Sequence, residues 1–332
     1  MATGQLRIKD RAGHLSNVLY LEFNLPATSG IEWGFNNGAP WSPAGGYYTD
    51  GTPKSSGGPD TAQLWKTTNA KMAGTRRRSF SPTIPTWANH PASKDAALGI
   101  KSFWSVKPIG GNRAAFIAGD QDAQMRAFLA AAPADSWGTI WHERQPEVPA
   151  AESVAMLNRL WDLKESVNPG IQVGPVDTEY RFGFPSAETA DPMVWLPSKR
   201  DFIGVDCYFE PWKAGNPPKG FMQQTGFKRW YDAYSGLSPL VIAETSLPST
   251  QRGPGGGSPT AGPLQLSYSD AQCAAWIDRE MTVLENLGDI VGVLWWNNDW
   301  YSADVGFASY VNDLTRPERP LALAAWNKHA GA

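Results

Sequence analysis

At 332 residues, with a formal net charge of −3 and a pI near 5.9, the chain gives no electrostatic reason to expect a polyanionic partner. Its one dense basic run is Arg76-Arg77-Arg78, so nucleic acid is excluded as the expected ligand. No run approaches the roughly 18 apolar residues of a membrane span, and Met1-Ala2-Thr3-Gly4-Gln5 lacks the basic and apolar regions of a secretion signal.

The expectation is therefore a soluble protein without a visible signal peptide. It would act outside the cell after loss of a leader, by another export route, or as part of a virion. Sixteen Trp, ten Tyr and thirteen Phe exceed what a core of this size needs, and flat aromatic faces are what sugar rings stack on, although packing accounts for more than half of them. Cys207 and Cys273 each sit among apolar neighbours and read as buried thiols rather than a disulfide framework.

In chain order, residues 1–24 hold one strand-like run at 18–23, read as an N-terminal extension packing on the main domain; it is alternatively a first barrel strand. The preferred first strand is 31–35, followed by a Gly-, Pro-, Ser- and Tyr-rich connection over 37–59, long enough to imply a functional loop. A helix-like segment at 62–72 leads to a second strand near 76–82. The third strand is 100–107, closed by Pro108, and a helix over 120–131 stops at Pro133.

The fourth strand, Trp137-Gly138-Thr139-Ile140-Trp141, ends abruptly in His142-Glu143 and a Pro-bearing turn. Its return helix, near 150–166, carries Val154, Leu157, Leu160 and Trp161 at helical spacing. Strand five is 171–177, strand six 202–208, and strand seven the run Leu240-Val241-Ile242-Ala243-Glu244. A Gly/Pro/Ser loop over 248–263 precedes the capping-box pattern Ser269-Asp270-Ala271-Gln272, a helix ended by Gly288, and strand eight at 290–296.

Eight short apolar strands at spacings that admit a helix between each pair predict a single (β/α)₈ TIM-barrel domain over 25–330. A doubly wound open sheet is the competitor, but its Gly-rich turn after an early strand is absent. In a barrel the active site forms where strand C-termini converge. Polar residues gather at several of those ends: Glu143, Asp177 and Glu179, Asp206 and Tyr208, Glu244, and Asn297-Asn298-Asp299. Glutamates ending strands four and seven are the strongest pair, since strands across a narrow barrel can aim two carboxylates at one substrate.

Trp-His-Glu ending strand four, Ile-Ala-Glu ending strand seven, Asp206-Cys207-Tyr208 ending strand six and Leu294-Trp295-Trp296 in strand eight together resemble the retaining glycoside hydrolases of clan A. The His142-Glu143 order and the upstream Ser105-Val106-Lys107-Pro108 turn are most similar to the family 26 endo-β-mannanase group. The resemblance spans roughly residues 30–330 as architecture and only these motifs as sequence.

It implies a cofactor-free, monomeric O-glycosyl hydrolase acting on a polysaccharide or oligosaccharide. Glu143, desolvated by Trp141 and with a raised pKa, would protonate the leaving oxygen, and Glu244 would attack the anomeric carbon. Such retention requires the two carboxyls about 5–5.5 Å apart. Tyr208 would donate a hydrogen bond to Glu244, His142 would hold a sugar hydroxyl or fix Glu143, and Arg78 of the arginine run would lie near the nucleophile.

Asp206 and Asn298 complete the expected polar rim; Trp104, Trp141, Trp295 and Trp296 are read as alternating between the barrel interior and the helix layer, so that half of them contact sugar, with Trp295 or Trp296 as the floor. Glu147 and Glu179 remain rival acids. Only four histidines occur, none in a His-x-x-x-His pattern, and no Cys-x-x-Cys is present, so no metal is expected. Two other functions stay open: hydrolysis of a bacterial cell-wall arabinan or galactan, including by a phage-tail protein, and carbohydrate binding without catalysis on a hydrolase scaffold.

Overall fold

The computed structural model describes residues 2–6, 19–23, 31–36, 72–75, 84–90, 92–145, 147–185, 190–209, 218–247, 249–251, 269–296, 300–302, 308–311, 314 and 319–331. The chain divides into two compact units, Met1–Ile31 and Glu32–Ala332. In the first, strands β1 (Ala2–Leu6) and β2 (Leu19–Phe23) form an antiparallel pair in which Gly4 faces Leu21.

The second unit is built on a parallel sheet of nine segments: β3 (Glu32–Asn36), β4 (Met72–Thr75), β5 (Lys101–Val106), β6 (Trp137–Ile140), β7 (Gln172–Val173), β8 (Val176–Thr178), β9 (Ile203–Tyr208), β10 (Leu240–Ser246) and β12 (Ile290–Trp296). Their order, β7-β6-β5-β4-β3-β12-β10-β9-β8, has β7 and β8 at its two edges. These two segments belong to one stretch of chain, broken at Gly174-Pro175 because Pro has no N–H for a ladder. The first half pairs with β6 and the second with β9. At the break, the Gly174 N–H donates to the Gly138 carbonyl and the Pro175 carbonyl accepts from the Gly204 N–H. No ladder joins the edges, and the circuit is completed covalently, giving the eight-position plan of a (β/α)₈ barrel with β7 and β8 sharing position five.

Strand alternation sorts the side chains into two layers. Phe103, Trp137, Val176, Val241, Ala243 and Leu294 come from five positions around the ring and form one buried cluster with Phe202, so they fill the lumen. Trp104, Val106 and Ile140 point the other way. They pack against Phe116 of α2 (Arg113–Ala118), Met125, Phe128 and Leu129 of α3 (Asp122–Ala131), and Met156, Leu157, Leu160 and Leu163 of α4 (Ala150–Val167). A Lys101–Glu32 ion pair of 2.7 Å links β5 to β3 at the start of both strands.

Before these helices comes the short α1 (Ala92–Ala97), and after β8 come α5 (Glu179–Gly183), α6 (Thr225–Tyr234), α7 (Asp270–Leu287) and α8 (Pro320–Ala330). Helix α7 opens on the expected capping box: Ser269 Oγ accepts from the Gln272 N–H at 3.2 Å and Gln272 Oε1 accepts from the Ser269 N–H at 2.8 Å. It closes at Gly288 with φ of 76°, a value glycine adopts without steric cost. Cys207 and Cys273 are both buried, and neither is in a disulfide.

Three sequence expectations change. The second strand is Met72–Thr75, ending before the arginine run, so Met72 is strand rather than helix. Residues 62–71 and 76–83 lie outside the described residues. The fifth strand is split as above. The 248–263 loop contributes a strand, β11 (Ser249–Gln251), to a small antiparallel sheet with β14 (Ala308–Val311) and β13 (Trp300–Ser302). The rest of that loop, and 37–59, lie outside the described residues. Among those described, no helix is long and apolar enough to cross a membrane.

Candidate active site

Two backbone irregularities deliver the two glutamates. On β10, Ile242 faces Val205 of β9 and Glu244 faces the very next β9 residue, Asp206, so two residues oppose one across a β-bulge. Val241 and Ala243 already occupy the lumen. Regular alternation would send Glu244 outward; the bulge turns it to the same face as Asp206 and Tyr208.

Past β6 the device is different. Trp141 and Glu143 have φ of 57° and 51° and are the non-glycine residues of positive φ among those described. A tryptophan and a glutamate in the left-handed region carry strain of order 1 kcal/mol each, held here by tertiary bonds. The Trp141 N–H donates to the Val106 carbonyl at 2.9 Å and the Glu143 N–H to the Val176 carbonyl at 3.1 Å. The turn is thus tied to barrel positions three and five.

Glu244 is fully buried. The Tyr208 hydroxyl donates to its Oε2, and His142 Nε2 lies 3.6 Å from its Oε1. The same His142 nitrogen is 2.6 Å from Asp206 Oδ2. A side chain next to Glu143 in sequence therefore spans the barrel mouth to touch Glu244. The expected Tyr208 to Glu244 bond is present, and His142 stands between the two buried carboxylates of β9 and β10.

Donor atoms of His142, Asp206 and Glu244 lie within 4.8 Å of one another and form the one trio among the described residues with a metal-ligand composition. Two ligands on a tetrahedral Zn²⁺ at 2.0–2.2 Å stand about 3.4 Å apart. The His142–Asp206 contact is closed to 2.6 Å. A cation would have to break that hydrogen bond, so the trio fits a proton better than a metal.

The other expected site residues divide. Trp296 is half-buried at the end of β12, its ring 6.4 Å from Tyr208 and nearly perpendicular to it, beside Glu244. Trp104 and Trp295 are corrected: both point outward and are sealed. Trp104 packs edge-on to Phe128 at 5.0 Å, donates from Nε1 to Ser136 Oγ at 3.1 Å, and lies so close over Gly138 that a Cβ there would stand 2.2 Å from its ring. Trp295 is locked between Trp276 and Trp326 of the helix layer. Strand alternation explains both, because each neighbours a residue that faces the lumen, Phe103 or Leu294. Arg78 and Asn298 lie outside the described residues.

The rival acids, Glu147 and Glu179, each have contacts of their own. Glu147 accepts from Trp141 Nε1 at 2.9 Å and pairs with Lys107 at 3.1 Å, while Lys107 also caps the Trp141 ring at 4.6 Å. Glu179 opens α5 and lies against Gly226 of α6, so close that a Cβ on Gly226 would sit 2.2 Å from its carboxylate. Burial pushes the Glu179 carboxyl up to about 7. That carboxyl and Asp206 both add to the burial that holds the Cys207 thiol well above its usual range. Since Cys207 alternates with Asp206 and Tyr208, Glu179 belongs to the helix-layer side of β9.

Asp177 also points outward, where its Oδ1 accepts from Arg144 Nε at 2.7 Å in a fully buried pair. Arg144 Nη1 donates to Ser153 Oγ at 3.1 Å, and its guanidinium lies 5.6 Å from the Trp195 ring centroid. This support behind Glu143 is invisible to strand-end reasoning, although an arginine directly after a rim glutamate was its one available sign.

No family model and no curated protein matches the chain. Solved structures do. The FMN-binding β-glucuronidase from Facaelibacterium prausnitzii L2-6 is 12% identical, with a TM-score of 0.57 over 99% of this chain and 47% of its own. The chain thus spans about half the length of that protein. The GH53 catalytic domain of Ignisphaera aggregans is 16% identical, with a TM-score of 0.55 over 91% of this chain and 96% of its own. The family 1 β-glucosidase from Thermotoga maritima is 11% identical, with a TM-score of 0.51 over 92% and 99%. At such identities the likeness carries the fold alone: this chain has the (β/α)₈ barrel architecture of those proteins.

Proposed function

We propose that the chain is a retaining glycoside hydrolase of β-linked polysaccharide, with Glu244 as nucleophile and Glu143 as general acid and base. The observation that carries this reading is Glu244 itself: fully buried, turned inward by a bulge, and gripped by Tyr208 and His142 at the barrel mouth. A buried carboxylate with a hydroxyl donating to it and an imidazole 3.6 Å away is oriented and protected from water, as attack on an anomeric carbon requires.

Ionised Glu244 attacks C1, the bond to the leaving oxygen breaks as Glu143 protonates it, and an ester forms on Glu244. Water then attacks C1, gives its proton to Glu143, and frees Glu244 with the configuration retained. Tyr208 and His142 hold the attacking carboxylate, Asp206 fixes His142, and Trp296 flanks the site. A β-linked substrate accords with the β-glucuronidase and β-glucosidase among the neighbouring structures. The family 26-like motifs favour a mannan-like chain.

The test is reducing-sugar release from mannans, β-glucans, xylans and bacterial wall arabinogalactans, with Glu143→Gln and Glu244→Gln alongside. Activity on one polymer, lost in both folded variants, is the expected result. Inactivity on all of them with binding retained would replace the hydrolase by a carbohydrate-binding module.

A further inference from the structure

We propose that Tyr180 and Phe184 form a second, non-catalytic glycan-binding platform on the catalytic rim, which takes the same β-linked chain some sugar units away from the bond being cleaved. The inference rests on the polysaccharide reading above and deepens it.

Helix α5 starts directly at the C-terminal end of β8 and turns two faces outward from its axis. Phe182 is buried and edge-on to Tyr234 of α6 at 6.0 Å, while Glu179 and Gly183 lie against Gly226. That face anchors the helix. Away from that face Tyr180 of the helix and Phe184, the residue that caps its C-terminus and donates its N–H to the Tyr180 carbonyl at 3.0 Å, are 57% and 68% exposed. Exposure of two large rings at a strand's catalytic end is unusual in a molecule that hides Trp104, Trp230, Trp295 and Trp326 almost completely.

The two rings are mutually ordered. Their centroids lie 4.9 Å apart at 40°, and the Arg181 guanidinium stands 5.8 Å from the Tyr180 centroid. A continuous apolar surface with a phenolic hydroxyl and a guanidinium at its margin matches a pyranose chain, which offers flat C–H faces rimmed by hydroxyls. Position argues for the same substrate as the catalytic pair. Thr178 faces Asp206 across the β8–β9 ladder, and Tyr180 follows two residues later, so its Cα lies within about 12 Å of that of Asp206. On the other side of the stretch, the Val176 carbonyl holds the Glu143 N–H. A polymer lying across the barrel mouth and running off past position five would meet these rings.

The experiment is affinity electrophoresis through gels containing soluble mannan, mixed-linkage β-glucan, xylan or arabinogalactan. It compares Glu244→Gln with Glu244→Gln/Tyr180→Ala/Phe184→Ala and with Glu244→Gln/Leu237→Ala, whose leucine is an exposed apolar control outside the rim. Both added changes are on the surface, so circular dichroism should report folded proteins.

The expected result is retardation of the parent by at least one polymer, about ten-fold weaker binding without the two rings, and no change in the leucine control. Equal binding with and without the rings, no retardation by any polymer, or equal loss in the control would each overturn the platform. Reducing-sugar release by the unaltered chain reports separately. Ring-dependent binding without release would sink the hydrolase and keep the platform, and release with ring-independent binding would do the reverse.

Discussion

The strand-four and strand-seven rims of the barrel each present one glutamate, but they place it by different backbone devices and at different depths. Glu244 is fixed through its side chain: a bulge turns it, Tyr208 donates to one oxygen, His142 stands 3.6 Å from the other, and no solvent reaches it. Glu143 is placed by a strained turn: left-handed dihedrals at 141 and 143 and amides tied to Val106 and Val176, with the residue half-buried. A nucleophile must keep one geometry while its environment stays dry. An acid that later becomes a base must exchange protons, so it needs access more than immobility. The difference in burial is the argument for assigning the two roles this way round.

The largest effects test that assignment directly. Glu143→Ala should lose about 10²–10⁴-fold in kcat, the range of a general acid, and Glu244→Ala should lose more because no covalent intermediate forms. Added azide separates them. With Glu143→Ala the glycosyl-enzyme is intercepted and the β-glycosyl azide accumulates, whereas with Glu244→Ala azide attacks from the vacated face and gives the α-anomer. Nuclear magnetic resonance of the products reads the anomer, and exchanged anomers would exchange the roles.

Next in size is the support behind Glu143. Arg144→Met leaves the buried Asp177 carboxylate without its cation and should cost about 3–5 kcal/mol of unfolding free energy in urea titrations. Arg144→Met/Asp177→Leu should recover most of it, since Arg144 Nη2 and Asp177 Oδ2 lack hydrogen-bond partners even in the intact pair. A double variant as unstable as the single one would show that this pair does more than neutralise itself.

Barrel positions were legible in the sequence because apolar runs mark them: strands four, six, seven and eight fall within a residue or so of their expected limits. Tyr208 beside Glu244 was legible for the same reason, as residues two apart on a strand share a face. What alternation could not supply was its own exceptions. The β10 bulge has no sequence mark, yet it decides where Glu244 points. The sealed Trp104 and Trp295 were misassigned because neighbouring aromatics on a strand look alike until one member, Phe103 or Leu294, is known to face the lumen. Helix α5 and the 190–200 segment went unseen, since five residues and a 3₁₀ turn are too short to show a period.

Glu179 sharpens the comparison as a third rim carboxyl that belongs to neither device. Its folded pKa, raised by burial to about 7 from the ordinary 4.5, means that the unfolded chain gives up this proton first as pH rises. Its contribution is therefore intact below about pH 4.5, declines through the window up to about pH 7, and is gone above it, by about 2–3 kcal/mol. Glu179→Gln, which cannot ionise, should be more stable than the parent at pH 8 and should flatten the fall of thermal midpoint between pH 5 and 7. Since this carboxyl sits against α6, the pH profile of kcat/KM should not follow. A matching change in both profiles would make Glu179 the acid and remove Glu143 from the mechanism.

The smallest effect, about ten-fold in kcat, is expected for Tyr208→Phe, which removes one donor from Glu244 and leaves the ring beside Trp296. Its size matters less than its dependence on the leaving group. Glu143 helps only when the departing oxygen needs a proton, so in single-turnover measurements Glu143→Ala should do little harm to the bond-breaking step with a dinitrophenyl glycoside and severe harm with a sugar leaving group. Tyr208 acts on the attacking carboxylate, and that carboxylate attacks C1 whatever departs. Its loss should therefore be the same for aryl and sugar leaving groups. If the Tyr208→Phe loss instead vanished with the activated substrate, Tyr208 would be serving the acid, and the division between a buried nucleophile and a half-buried acid would fail.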